Sequence, residues 1–159
     1  MGIAKIQTEP HQPSAPVYIA TSSSLTSMSL SWSGIVASST ETGGSPIISY
    51  NIQWRTSGAS SWTDGQGQDG SYSTLKTYTL SSGVVGGDTY VFQVLAKNIH
   101  GWSTASNSLV VIASGIPDTP AAPTTTLDSL TVKIAWVAPS HNYAAITEYK
   151  IAITNSLGA

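Results

Sequence analysis

Apolar and polar residues alternate with a period of two along much of this chain. Met28, Leu30 and Trp32 face one way, while Ser29, Ser31 and Ser33 face the other. Tyr50, Ile52 and Trp54 make a second such face, and Tyr90, Phe92, Val94 and Ala96 a third. Leu75, Tyr78 and Leu80 mark a shorter run, and Leu109 with Val111 closes the set. Successive side chains of a strand point to opposite sides, so each run predicts a strand with one buried face. Turn-forming clusters separate them: residues 42–45, 64–67, 81–83 and 86–88 are rich in Gly, Ser, Thr and Asp. No stretch carries a helical period. Roughly seven short strands at this spacing predict an all-β sandwich of two sheets.

The pattern then begins again. Residues 10–16 read P-x-x-P-x-A-P, and residues 117–123 read the same at an offset of 107. The segment 29–32 (Ser-Leu-Ser-Trp) matches 133–136 (Lys-Ile-Ala-Trp), and Ile47, Tyr50 and Ile52 match Ile146, Tyr149 and Ile151 at an offset of 99. A period near 100 residues is a repeat of whole domains, with shorter loops in the second copy. The proline clusters mark the boundaries, because proline donates nothing to a strand ladder and stiffens a connector. The expected organisation is a last strand of a preceding repeat, or an arm, over residues 1–9. A complete domain follows over 10–115, and the first three strands of a second occupy 116–159.

Composition narrows the function. Ser and Thr supply 45 of the 159 residues, while only 9% are charged, against about 25% in ordinary soluble domains. The surface is therefore hydroxyl-rich. The basic residues Lys5, Arg55, Lys76, Lys97, Lys133 and Lys150 are scattered, so no patch can neutralise a phosphate backbone and nucleic acid is not an expected partner. No apolar run approaches the roughly 18 residues of a membrane span, and no membrane insertion is expected. The absence of cysteine removes disulfides, thiolate catalysis and cysteine-held zinc.

These strands and turns resemble the fibronectin type III family. The resemblance rests on Pro13 and Pro16, Trp32 at the end of the second strand, and the run Ile47, Tyr50, Ile52, Trp54. It continues through Leu80, Gly86 and Gly87 to Tyr90, Phe92, Val94, Ala96 and Asn98, then Gly101 and Ser103. It implies an immunoglobulin-like sandwich in which Trp32 anchors the core and Tyr90 forms a tyrosine corner, with Trp136 repeating the anchor. Tyr50, Trp54, Leu80, Phe92 and Tyr149 complete the expected anchors. The wording around Tyr50 and Asn98 is similar to long tandem arrays in surface proteins of protists. The fold by itself implies no single function.

Candidate chemistry is sparse. His11, His100 and His141 fall in the linker and loops with no triad or metal spacing, and the loop Asp64–Gly70 lacks the oxygen ligands of a calcium site. No enzyme activity and no cofactor are expected. Trp62 and Trp102 lie off the core pattern and, with His100, are candidate ligand contacts, for instance as sugar-stacking platforms; the plainer reading is that both indoles cap the sandwich ends. No Asn-x-Ser/Thr sequon is present. Thr124, Thr125 and Thr126, beside Pro123, could carry O-linked sugar or simply form strand.

The unfinished copy poses an energetic problem. Burial stabilises each large apolar side chain by roughly 1.5–3 kcal/mol, so leaving half of the second copy's core exposed forgoes about 6–12 kcal/mol, comparable to the about 5–15 kcal/mol stability of a domain. Residues 117–159 are therefore not expected to fold in isolation. Ile3, Ile6, Val132, Ile134, Ile146, Ile151 and Ile153 are the candidate assembly interface. The expected role is a structural repeat of an extracellular or cell-surface filament or scaffold, partnered head to tail by itself or by neighbouring repeats. The alternatives are an adhesion module that binds a ligand or receptor, glycans included, through its B–C and F–G loops, and an accessory domain of a carbohydrate-active enzyme.

Overall fold

A computed structural model describes residues 6–154. The first unit is built from β1 (Val17–Tyr18), β2 (Met28–Ser31), β3 (Ser49–Thr56), β4 (Thr63–Gln66), β5 (Thr77–Leu80), β6 (Thr89–Lys97) and β7 (Leu109–Ile112). One sheet has the order β1-β2-β5 and the other β4-β3-β6-β7. All their pairings are antiparallel. A single 3-10 turn, Ala20–Ser22, lies between β1 and β2; three residues are too few to show a period in the sequence.

The two inner faces meet in one core. Met28, Leu30, Ile52, Tyr90, Phe92, Val94 and Ala96 are wholly buried, with Trp32, Tyr50 and Leu80 nearly so. Trp32 meets Tyr50 edge to face with ring centroids 6.5 Å apart, an arrangement aromatic rings favour. Tyr90 closes the far end: its hydroxyl accepts from the Val85 N–H at 2.9 Å and donates to the Gly83 carbonyl at 3.1 Å. Trp54 is only partly buried and packs on Tyr90 at 6.1 Å. Leu75, expected within the strand that became β5, lies outside it and is exposed.

Pairing between β3 and β4 slips by one residue after Ile52. The slip leaves Gly65 without a partner, and a Cβ there would meet the Tyr78 ring at 2.7 Å. Such a bulge re-aims the neighbouring side chain, here Asp64. Gly67 then turns the chain at φ +79°, where a Cβ would come within 1.9 Å of the Tyr50 carbonyl oxygen. Only glycine fits that position.

The second copy forms β8 (Thr124–Asp128) and β9 (Thr131–Ala135), an antiparallel hairpin. A third strand expected at Ile146–Ile151 is not formed: residues 136–154 contain no strand. In the first unit the matching strand, β3, is held between β4 and β6, and the second copy has neither neighbour among the described residues. The same lack leaves Trp136 and Tyr149, expected as core anchors, each 40% exposed, packed on one another at a tilt of 55° with ring centroids 5.6 Å apart. Ile3 lies outside the described residues. Ile6 is exposed and in no strand.

Candidate functional site

Three segments converge at one end of the first unit: residues 6–11, the loop 33–46 between β2 and β3, and the loop 98–102 after β6. Asn98 is fully buried at their junction. Its Nδ2 donates to the carbonyls of Thr8 (2.6 Å) and Thr42 (2.9 Å), and its Oδ1 accepts from the His100 N–H at 2.8 Å. The backbone of residues 8–11 runs against the loop, with Thr8 N–H donating to Gly43 O and His11 N–H to Glu41 O, both at 2.9 Å. His100, a candidate ligand contact, is exposed beside this junction, and its Nε2 lies 3.2 Å from both Gln7 Oε1 and Ser45 Oγ.

Trp102 sits beside a charged cluster on the outer face of the four-stranded sheet. Lys97 Nζ bonds Asp69 Oδ1 at 2.7 Å and lies 4.8 Å from the centre of the Trp102 ring and 5.6 Å from that of Tyr72. The Trp102 N–H donates to both Asp69 oxygens at 3.3 Å. Hydrogen bonds from Lys97 and then Trp102 hold the Asp69 carboxyl below the usual carboxylate range. Alongside runs a cleft of about 350 Å³ lined by Asn51, Gln53, Asp64, Gln68, Asp69, Leu95 and Trp102. Its amides are oriented: Gln93 donates to Gln53, and Gln53 and Asn51 both donate to Asp64 Oδ1. Because Asp64 only accepts, Asn51 must turn its Oδ1 away from it. Among the described residues, that oxygen and Gln68 Oε1 are buried without a hydrogen-bond partner. Trp62 is separate from this cluster, half-buried under the Arg55 guanidinium at 4.9 Å.

The second copy presents an apolar face. Val132, Ile151 and Ile153 are exposed, while Ile134 and Ile146 are half-buried. A cleft of about 270 Å³ between the hairpin and residues 149–152 is lined by Pro120, Pro123, Ile134, Trp136, Tyr149 and Ile151. Thr124, Thr125 and Thr126 lie exposed along β8. Among the described residues, no three His, Asp or Glu side chains gather where they could hold a metal, and no helix is long and apolar enough to cross a membrane.

The model of the fibronectin type III domain matches residues 12–112. The chain belongs to the fibronectin type III family. In that family's lettering β1 to β7 are strands A, B, C, C′, E, F and G. Solved structures agree on the fold. "Titin kinase and its flanking domains" is 24% identical, with a TM-score of 0.52, over 67% of this chain and 17% of that one. The twitchin kinase region from C. elegans is 27% identical, with a TM-score of 0.52, over 66% and 17%. The FN1–FN3 domains of chicken CNTN1 are 15% identical, with a TM-score of 0.56, over 82% and 44%. This chain therefore spans less than half the length of each. No curated protein matches it. In each of these structures the matched part is one portion of a longer chain.

In this fibronectin type III unit, Asn98, Asp69 and Lys97 do more at the loop end than the candidate residues the sequence singled out. Asn98 follows an inward-facing strand and precedes a tight turn, a position where a side-chain amide can cap loops. Asp69 and Lys97 carried no spacing signal, since 28 residues separate them.

Proposed function

We propose that this fibronectin type III chain is a structural repeat of an extracellular or surface scaffold, stacked head to tail with further units of the same fold. One observation carries the reading: the second unit repeats the first through its hairpin and aromatic pair but leaves Trp136, Tyr149, Ile151 and Ile153 open to water. In the first unit the matching residues Trp32, Tyr50 and Ile52 are covered by Leu80 of β5 and by Tyr90, Phe92 and Val94 of β6. The surface that fits the open face is therefore another E–F–G set, carried by the same polypeptide or by an adjoining copy.

Two samples test this: the chain as it stands, and a chain in which residues 56–113 are fused after Thr154, completing the second unit at the 99-residue offset. The chain alone should form linear oligomers by sedimentation and electron microscopy, or the extended chain should fold as a rod of two units with Trp136 shielded from acrylamide. A monomeric parent together with an extended chain whose Trp136 stays quenchable would refute the reading.

A second reading, a binding module for a neutral polyhydroxylated ligand such as a glycan, is favoured by the cleft beside Trp102. Ligand clefts begin near 300 Å³, and the two unpartnered amide oxygens are acceptors suited to hydroxyl donors. Glycan-array binding that disappears in Trp102→Ala and Asn51→Ala would support it; binding unchanged in both would count against it.

A further inference from the structure

The same pair of backbone hydrogen bonds occurs twice in this chain. In the first unit Thr8 N–H donates to Gly43 O and His11 N–H to Glu41 O, each at 2.9 Å. In the second, Gly115 N–H donates to Asn142 O at 2.9 Å and Asp118 N–H to Ser140 O at 3.0 Å. The donors differ by 107 positions and the acceptors by 99, the two offsets of the repeat. The backbone is also the same: Gly43 and Gly44 have φ of 65° and 78°, and Asn142 and Tyr143 have φ of 47° and 63°. Glycine adopts that conformation freely and asparagine tolerates it, whereas a bulky tyrosine there is an outlier. Strain at such a residue persists only where surrounding contacts hold it.

Those contacts reach into the preceding unit. The Tyr143 ring lies on Gly87 in the E–F turn, so closely that a Cβ on Gly87 would come within 2.6 Å of Cε1 and 2.7 Å of Cζ. Gly87 itself has φ +91° and donates its N–H to Ala113 O at 2.9 Å, which ties the turn to the start of the linker. Asn142 Nδ2 donates to Ile116 O (2.8 Å) and Asp118 Oδ1 (2.9 Å), and Ser140 Oγ donates to Asn142 Oδ1 at 2.9 Å. The Asn142 side chain thus holds the linker at two points. Leu25 lies against both Gly86 and Gly115, where an added Cβ would come within 2.9 Å and 3.4 Å of it.

We infer that the B–C loop, residues 140–143, is an inter-unit clasp whose partner is the Gly86–Gly87 turn of the unit before it. The loop grips the linker through two backbone hydrogen bonds and seats one aromatic ring on the turn, fixing the angle between consecutive units. The loop 41–44 of the first unit has the same backbone grip on residues 8–11 but carries Gly44 where the second unit has Tyr143, so it shares the linker half of the clasp and lacks the ring. This deepens the head-to-tail reading, yet the contact lies within one chain and is measurable whether or not chains assemble.

The test uses the full chain in dilute, monomeric solution. Because the chain has no cysteine, two can be introduced at exposed sites, Thr56→Cys and Thr126→Cys, for spin labels. A narrow distance distribution is expected, with the Gly87 α-protons shifted by the Tyr143 ring current. Tyr143→Gly keeps the backbone conformation and removes the ring; it should broaden the distribution and return the Gly87 protons to ordinary positions. Asn142→Ala removes the side-chain bonds to Ile116 O and Asp118 Oδ1 and places at positive φ a residue that tolerates it less than asparagine. The Asn142 carbonyl should then be held less firmly and the Gly115 amide should exchange roughly tenfold faster, a change on the scale of one hydrogen bond. Melting of the first unit should be unchanged in both, which separates a lost clasp from a lost fold. A parent chain with a broad distribution and unshifted Gly87 protons would overturn the proposal, as would a Tyr143→Gly chain indistinguishable from the parent. Failure to form fibres with these signals intact would count against assembly between chains and leave the clasp standing.

Discussion

Replacing Asn98 with alanine probes the junction that holds the loops and the entering chain together. The side chain is fully buried and makes four hydrogen bonds: to Thr8 O at 2.6 Å, Thr42 O at 2.9 Å, and from the N–H groups of His100 at 2.8 Å and Gly101 at 3.3 Å. A typical hydrogen bond contributes about 0.5–1.5 kcal/mol, and a partner left buried and unpaired costs about 1–3 kcal/mol. Thr8 and His100 are exposed residues and can recover water, whereas Thr42 and Gly101 are half-buried. Two bonds lost at modest cost and two at higher cost give about 3 kcal/mol, a large share of the roughly 5–15 kcal/mol of a whole domain. In urea unfolding followed by tryptophan fluorescence, the slope should hold and the midpoint should fall by about 1–3 M, since slopes run about 1–3 kcal/mol per molar. Asn98→Asp should be at least as damaging at neutral pH, because carboxylate oxygens would then face two carbonyl oxygens. A loss below about 1 kcal/mol in the alanine variant would refute the account, since it would mean water replaces all four partners.

Other outcomes follow from single contacts. Tyr90→Phe removes the hydroxyl that pairs Val85 N–H and Gly83 O and should cost about 1–2 kcal/mol by chemical denaturation. Phe92→Ala empties a fully buried site and should cost about 3–5 kcal/mol, measured the same way. Gly67→Ala forces a Cβ against the Tyr50 carbonyl and should lower the melting temperature, with the β3–β4 amides losing protection first. Asp69 is held below the usual carboxylate range by Lys97 and Trp102, so its bridge stabilises the fold above the unfolded-state pKa and is lost as pH falls through the lower folded value. Trp102 emission should therefore titrate only at the acid end of a scan from about pH 6 to about pH 2, and Asp69→Asn should abolish that titration.

The sandwich was legible because its signal is local. Alternation along Met28 to Trp32 or Tyr90 to Ala96 needs only neighbouring residues to be read, and the glycines at 43, 44, 67, 83 and 87 mark turns for the same reason: each has φ > 0. The repeat was legible too, from matching prolines and aromatics at offsets of 107 and 99. The third strand of the second copy has the same local pattern and does not form. A strand is a pairing rather than a sequence, and its neighbours are not among the described residues.

The order of residues specifies which positions alternate, where the chain turns and that the pattern starts again. What the loops do depends on contacts made in space. The fold sets the His100 ring beside Gln7 and Ser45, 93 and 55 positions away. It joined Asp69 to Lys97 and Trp102, and it set Tyr143 on Gly87. These contacts link residues far apart in the chain, and their energy depends on distances of a few ångströms that no local pattern encodes. The Asn142–Tyr143 pair shows the difference most plainly: in sequence it is an ordinary loop dipeptide, and in space it repeats the backbone of Gly43–Gly44 to hold one unit against another.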